Sequence, residues 1–114
     1  MRWLRRLRGS GGKGQGSGPG GGRADLKAGA RHLEEFVRSR YGVEAFVEPR
    51  TNVTETTVLL IAHDGEWTRR RVAGTAEAFA FGRRLSIPVY EVNLVGYPQR
   101  MRDYNERQKR RPTA

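Results

Sequence analysis

The residues in this chain whose side chains are suited to chemistry are few and scattered. His63 stands beside Asp64, and Thr75 and Ser86 supply hydroxyls farther along. A nucleophilic centre needs a hydroxyl or thiol within reach of a base that a third group orients. These four residues follow no recognisable arrangement of that kind. His63 and Asp64 read instead as a local polar pair at a hairpin tip, where turns favour such side chains. With no cysteine in the chain, thiol chemistry, disulfides and cysteine–zinc sites are excluded. Two histidines are too few for a histidine-rich metal site, and His32 reads as a structural residue at the edge of an apolar helix face. Residues 9–22 contain nine of the fifteen glycines. No strand precedes them and no Gly-Lys-Ser/Thr triplet follows, so they lack the setting of a phosphate loop. No catalytic, cofactor-binding or metal-ligating residue is assigned.

What remains is cationic chemistry. The net charge is +10, and it is unevenly placed. Residues 1–23 carry six basic and no acidic side chains, residues 24–96 ten of each, and residues 97–114 six basic against two acidic. Such an excess draws phosphate, anionic lipid or acidic protein. The candidate polyanion contacts are Arg2, Arg5, Arg6 and Arg8 at the front, Arg69, Arg70 and Arg71 in the middle, and Arg100, Arg102, Arg107, Lys109 and Arg110 near the end. RNA, DNA or a ribonucleoprotein is the expected partner. Trp3 and Leu7 share one face of the basic tip, which also permits transient contact with a membrane surface. No run approaches the roughly 20 apolar residues of a membrane span. The basic start is followed by glycine and not by the apolar segment of a signal peptide, so a cytoplasmic location is expected.

Elements must position these groups. Residues 1–23 read as a basic tail with a flexible glycine-rich linker, residues 24–96 as one α+β core, and residues 97–114 as a basic C-terminal helix. Leu26, Ala30, Leu33, Val37 and Tyr41 recur at helical spacing, widened by Phe36, with Asp25 as N-cap and Gly42 as the left-handed residue that ends the helix. Residues 43–48 read as a strand closed by Pro49, and residues 56–62 (TTVLLIA) as a central strand buried on both faces. Asp64-Gly65 is a hairpin signal. A two-residue loop there sets Ala62 opposite Trp67, Leu60 opposite Arg69, Leu59 opposite Arg70 and Val58 opposite Arg71. The third strand, residues 66–72, then carries three arginines that protect an edge. Residues 74–85 read as a second helix, with Ala76, Phe79 and Ala80 on one side and Ala78, Phe81 and Leu85 on another. Residues 87–95 read as a fourth strand, with Pro88 near its start. Pro98 suits the first position of the last helix, which Met101 and Tyr104 dock and which frays beyond about Arg107.

The order is αβββαβ, two helices on a four-stranded mixed sheet, plus the C-terminal helix. The expected core is Leu26, Leu33, Val37, Val58, Leu60, Ile61, Phe79, Leu85, Val89 and Val92, and truncation of Phe79 to alanine is expected to cost about 3–5 kcal/mol. Trp67 is expected to anchor the core or an edge, and a base-stacking role is the lesser expectation.

The first five elements resemble in order a double-stranded-RNA-binding domain, and the first six the core of the restriction-endonuclease-like fold. The former resemblance implies lysines at the start of the last helix, spanning major-groove phosphates; Gly74-Thr75-Ala76-Glu77 has none. The latter implies a metal-binding aspartate and a Glu-x-Lys pair. The nearest match is Asp64 with Glu66-Trp67-Thr68, in which the lysine is missing, leaving at most a non-cleaving version. The segments GEWTRRRV (65–72) and GYPQRMRDYNERQ (96–108) are similar to a family of small uncharacterised actinobacterial proteins, over about residues 24–108. Some of its members are labelled oxidoreductase. That resemblance implies an orphan enzyme as one alternative, yet there is no Gly-x-Gly-x-x-Gly after a strand, no redox cysteine pair and no metal cluster. It supplies no site residues. The residues favour a non-enzymatic accessory protein that contacts nucleic acid through its charged ends. A protein-interaction module using the Trp67 hairpin is the other alternative.

Overall fold

A computed structural model describes residues 22–111. Arg2, Arg5, Arg6 and Arg8 and most of the glycine-rich segment lie outside the described residues, as do residues 112–114. The elements are α1 (Arg23–Ser39), β1 (Glu44–Glu48), β2 (Thr57–Ile61), β3 (Trp67–Arg71), α2 (Thr75–Leu85), β4 (Val89–Glu91), a single helical turn α3 (Val92–Val95) and α4 (Gln99–Arg110). The fold is α+β, with a four-stranded mixed sheet in the order β3-β2-β1-β4. β1–β2 and β2–β3 pair antiparallel, and β4 lies parallel to β1.

Strand pleating sends alternate side chains to opposite faces, and β1 and β2 use both. Ala45 and Val47 of β1 and Val58 and Leu60 of β2 join Leu33 and Phe36 of α1 and Ala78 and Phe81 of α2 in one core. Phe46, Leu59 and Ile61 point the other way and pack with Val92 and Met101, with Trp67 partly buried against them. Helices α1 and α2 therefore cover one face, and α3 and α4 the other. Val58, Leu59, Leu60 and Ile61 are all 0% exposed, which is why β2 is a continuous apolar run.

Several local expectations shift. α1 begins at Arg23 with Gly22 in the cap position, and Asp25 sits in the first turn, where its charge complements the helix dipole. The helix ends at Ser39, short of Tyr41. Arg40 turns extended (φ −130°) and its side chain closes on Glu66. The buried stripe is Gly29, Leu33 and Phe36, with Leu26 and Val37 only half-buried.

The hairpin loop has three residues, His63, Asp64 and Gly65. The Ala62 N–H donates to the Glu66 carbonyl (2.8 Å) and the Gly65 N–H to the Ala62 carbonyl (3.0 Å). Gly65 adopts φ +94°, as the last residue of a three-residue loop does. The register is Ile61–Trp67, Leu60–Thr68, Leu59–Arg69, Val58–Arg70 and Thr57–Arg71, one residue from the two-residue-loop pairing. Such a slip exchanges the faces of a whole strand. Trp67 and Arg69 thus face α4, while Thr68 and Arg70 face α1.

The fourth strand is three residues long. Val47 pairs with Glu91, and β1 ends one residue later before Pro49, whose ring nitrogen cannot donate to a ladder. With no strand left to pair, residues 92–95 coil into α3, burying Val92 and leaving Leu94 80% exposed. α4 starts after Pro98, which takes the cap position, and it stays helical through Arg110. Met101 and Tyr104 dock it, at 8% and 7% exposure. No helix among the described residues is long and apolar enough to cross a membrane.

Candidate functional site

The carboxylates of the hairpin are committed to the fold. Asp64 Oδ1 accepts the Glu66 N–H at 3.0 Å, a side-chain turn of the kind aspartate favours. Glu66 takes both arms of Arg40, at 3.1 and 2.6 Å, tying the end of α1 to the hairpin. Among the described residues no group of three His, Asp or Glu could hold a metal ion. His63 pairs with Tyr41 and not with Asp64: the two rings stack at 4.5 Å between centroids and 5° between planes. His32 Nε2 lies 2.7 Å from Thr68 Oγ1, joining α1 to β3. Thr68 is only 3% exposed, so its hydroxyl is a structural partner and not an accessible nucleophile. Thr75 opens the eleven-residue α2 and Ser86 caps its other end, which sets them roughly 16 Å apart at ~1.5 Å per residue.

The most heavily bonded acid is Glu48, at the end of β1. Arg69 grips it from β3 with Nε at 2.8 Å and Nη2 at 2.9 Å. The hydroxyls of Thr57 and Tyr97 donate to it at 2.6 Å each. Burial would raise the pKa of this carboxyl, but the hydrogen bonds from Arg69, Thr57 and Tyr97, with the charge of Arg69, outweigh it and hold the group below the usual range. The same bond, together with burial, raises Tyr97, keeping it a donor. A carboxyl lowered on folding stabilises the protein fully above its unfolded pKa, and that stability is lost as pH falls through the lower folded value. Thermal midpoints should therefore drop as pH falls below about 4.5, and Glu48→Gln should flatten that dependence. A Glu48→Gln protein with an unchanged acid limb would remove Glu48 as its source.

The predicted cationic contacts separate into two groups. Arg69 is held by Glu48. Arg100 crosses under the hairpin, donating to Glu44 Oε1 (2.6 Å) and the Ala62 carbonyl (3.0 Å), so it docks α4. Arg107 donates to the Asp64 carbonyl at 2.8 Å and lies over Tyr104. Arg70 packs its stem on Gly29 and donates to the Arg69 carbonyl at 2.7 Å, blunting the open edge of β3. The second group faces solvent. Arg102 bonds only the neighbouring Gln99, and Lys109 and Arg110 meet Glu106 at 3.9 Å while remaining more than two-thirds exposed. The guanidinium of Arg71 makes no hydrogen bond or ion pair with a described residue.

Trp67 is half-buried, and its Nε1–H donates to Asn105 of α4 at 2.8 Å. It is an anchor between sheet and helix. An open groove of about 520 Å³ runs between α1 and β3, lined by His32, Phe36, Arg40, Glu66, Trp67 and Thr68. Its polar wall combines the His32–Thr68 and Arg40–Glu66 pairs with the exposed side chains of Arg31, Glu35 and Ser39. Among the described residues no buried side-chain polar atom lacks a partner, as in native proteins generally. Reading the sequence missed the Glu48 hub, Arg40 and the Tyr41–His63 stack. Gly42 is the one local signal for the stack, because its φ of +65° and its missing Cβ let the segment after Tyr41 close on His63.

Comparison with protein-family models, with curated proteins and with solved structures finds no match to this chain.

Proposed function

We propose that the protein is a non-enzymatic accessory factor that contacts nucleic acid or ribonucleoprotein through its charged ends. The observation that carries this reading is the placement of charge: a net +10 with the excess on the two ends and a neutral span between them. The internal bonding favours some of the candidate contacts over others. Arg69 and Arg100 are engaged with Glu48 and Glu44 inside the fold. Arg102, Lys109 and Arg110 on the outer side of α4 join Arg2, Arg5, Arg6 and Arg8 as the cations available to phosphate.

Each phosphate neutralised releases counterions, so the logarithm of affinity falls with the logarithm of salt by about 0.7 per contact on a single strand. Anisotropy titrations of RNA and DNA oligonucleotides across a salt series measure this slope. Replacing Arg2, Arg5, Arg6 and Arg8 with glutamine should reduce it by about 3, and replacing Arg102, Lys109 and Arg110 by about 2. If both variants keep the affinity and slope of the parent protein, the charged ends are not the contact.

A further inference from the structure

The Tyr41–His63 pair lies on the surface at the hairpin end of the sheet, and Tyr41 is 75% exposed. An exposed aromatic pair contributes little to a core, yet the backbone fixes this one from three sides. α1 stops at Ser39, Gly42 takes φ +65°, and the His63 N–H donates to the Tyr41 carbonyl at 3.2 Å. A Cβ on Gly42 would stand 2.8 Å from His63 Cβ, so this close approach of the two segments requires glycine. The rings are parallel within 5°. Each covers one face of the other, and both residues are exposed. The Tyr41 hydroxyl makes no hydrogen bond with a described residue.

Cations bracket the pair. Arg40 precedes Tyr41, Arg100 bonds the carbonyl of Ala62 just before His63, and Arg107 bonds that of Asp64 just after it. Glu44, Asp64 and Glu66 balance these three, and Lys109 and Arg110 follow within one turn of α4 beyond Arg107. The platform itself is therefore close to neutral, with positive charge on its α4 side.

We propose that Tyr41 and His63 form a stacking platform for an unpaired base, which makes single-stranded nucleic acid the ligand class. This rests on the reading that the protein contacts nucleic acid and specifies where a base is held. Aromatic rings hold unpaired bases through their π-faces, whereas a base inside a duplex is already stacked on both sides. Phosphate contact by the ends and base stacking at the hairpin differ in one measurable respect. Stacking is insensitive to salt.

The test is anisotropy of the full chain with labelled 12-mers of uridine and of thymidine and with a DNA duplex, comparing Tyr41→Ala, His63→Ala and Tyr41→Phe. Tyr41→Ala is expected to weaken single-strand binding about 5- to 100-fold, with the salt slope and duplex affinity unchanged. His63→Ala is expected to do likewise, and Tyr41→Phe to retain affinity. A melting temperature equal to the parent protein's checks that Tyr41→Ala stays folded. Binding by the parent protein with no loss in Tyr41→Ala overturns the platform alone, as does an equal loss on duplex. If the parent protein binds neither single strand nor duplex at low salt, the nucleic-acid reading falls and the platform with it.

Discussion

Gly65→Ala should detach α4 from the sheet and lower the urea midpoint by an amount equivalent to about 3 kcal/mol or more. Two independent costs combine at this position. Gly65 sits at φ +94°, where a residue with a Cβ is strained by roughly 1–2 kcal/mol. The new methyl group would also run into the backbone carbonyl of Arg100 and stand 2.8 Å from Tyr104 Cβ. A backbone atom in a helix cannot swing aside as a side-chain tip can, so relief requires movement of α4 as a unit. That movement opens the packing of Met101 on Phe46, Leu59 and Ile61 and the Trp67–Asn105 bond. The fluorescence of Trp67 should shift to the red along with the loss of stability. An unchanged midpoint with unchanged emission would mean that α4 does not rest on the loop.

The same turn shows why only part of the fold was legible. Asp64-Gly65 correctly marks the hairpin, because both residues belong to turn chemistry. The pair does not say whether the loop holds two residues or three. That depends on whether His63 pairs with Glu66, and the choice is made by Trp67 finding the apolar face that Phe46, Leu59 and Ile61 share with α4. Long-range packing sets the register. β2 was legible because an apolar run needs no partner to identify it. Residues 87–95 were not, since their β-branched pattern suits a strand and only the end of β1 at Pro49 cuts the strand short.

The candidate site divides along the same line. The surplus of charge on the ends is a property of composition and can be read directly. Whether a given arginine is available is a property of contacts. Arg69 and Arg102 are indistinguishable as letters, yet Arg69 meets Glu48 from 21 residues away and Arg102 meets only Gln99 on its own helix. Tyr41 was placed on the buried stripe because it falls one helical period after Val37. The helix ends two residues too soon for that.

Phe81→Ala should cost about 3–5 kcal/mol, and Phe79→Ala less than half as much. The two rings sit two residues apart on α2, about 200° around the helix, so only one of them can face the sheet. The earlier expectation placed Phe79 there. Phe81 is the buried ring at 7% exposure, on one stripe with Ala78 and Gly82, whereas Phe79 packs half-buried at the rim of that core. A signal for this was present in Gly82. Glycine in a helix interior costs about 1 kcal/mol against alanine, a cost that close packing offsets when no side chain fits. Here a Cβ on Gly82 would collide with Val89 of β4, so Gly82 marks the face of α2 that touches the strand, and Phe81 lies beside it. Truncating Phe81 removes a ring from the core it shares with Leu33, Val47 and Leu60, leaving space that a sheet with 0%-exposed strands cannot close by collapse. Urea denaturation of the two variants, compared at equal slope, measures the difference. A larger loss in Phe79→Ala than in Phe81→Ala would reverse the assignment of which side of α2 lies against the sheet.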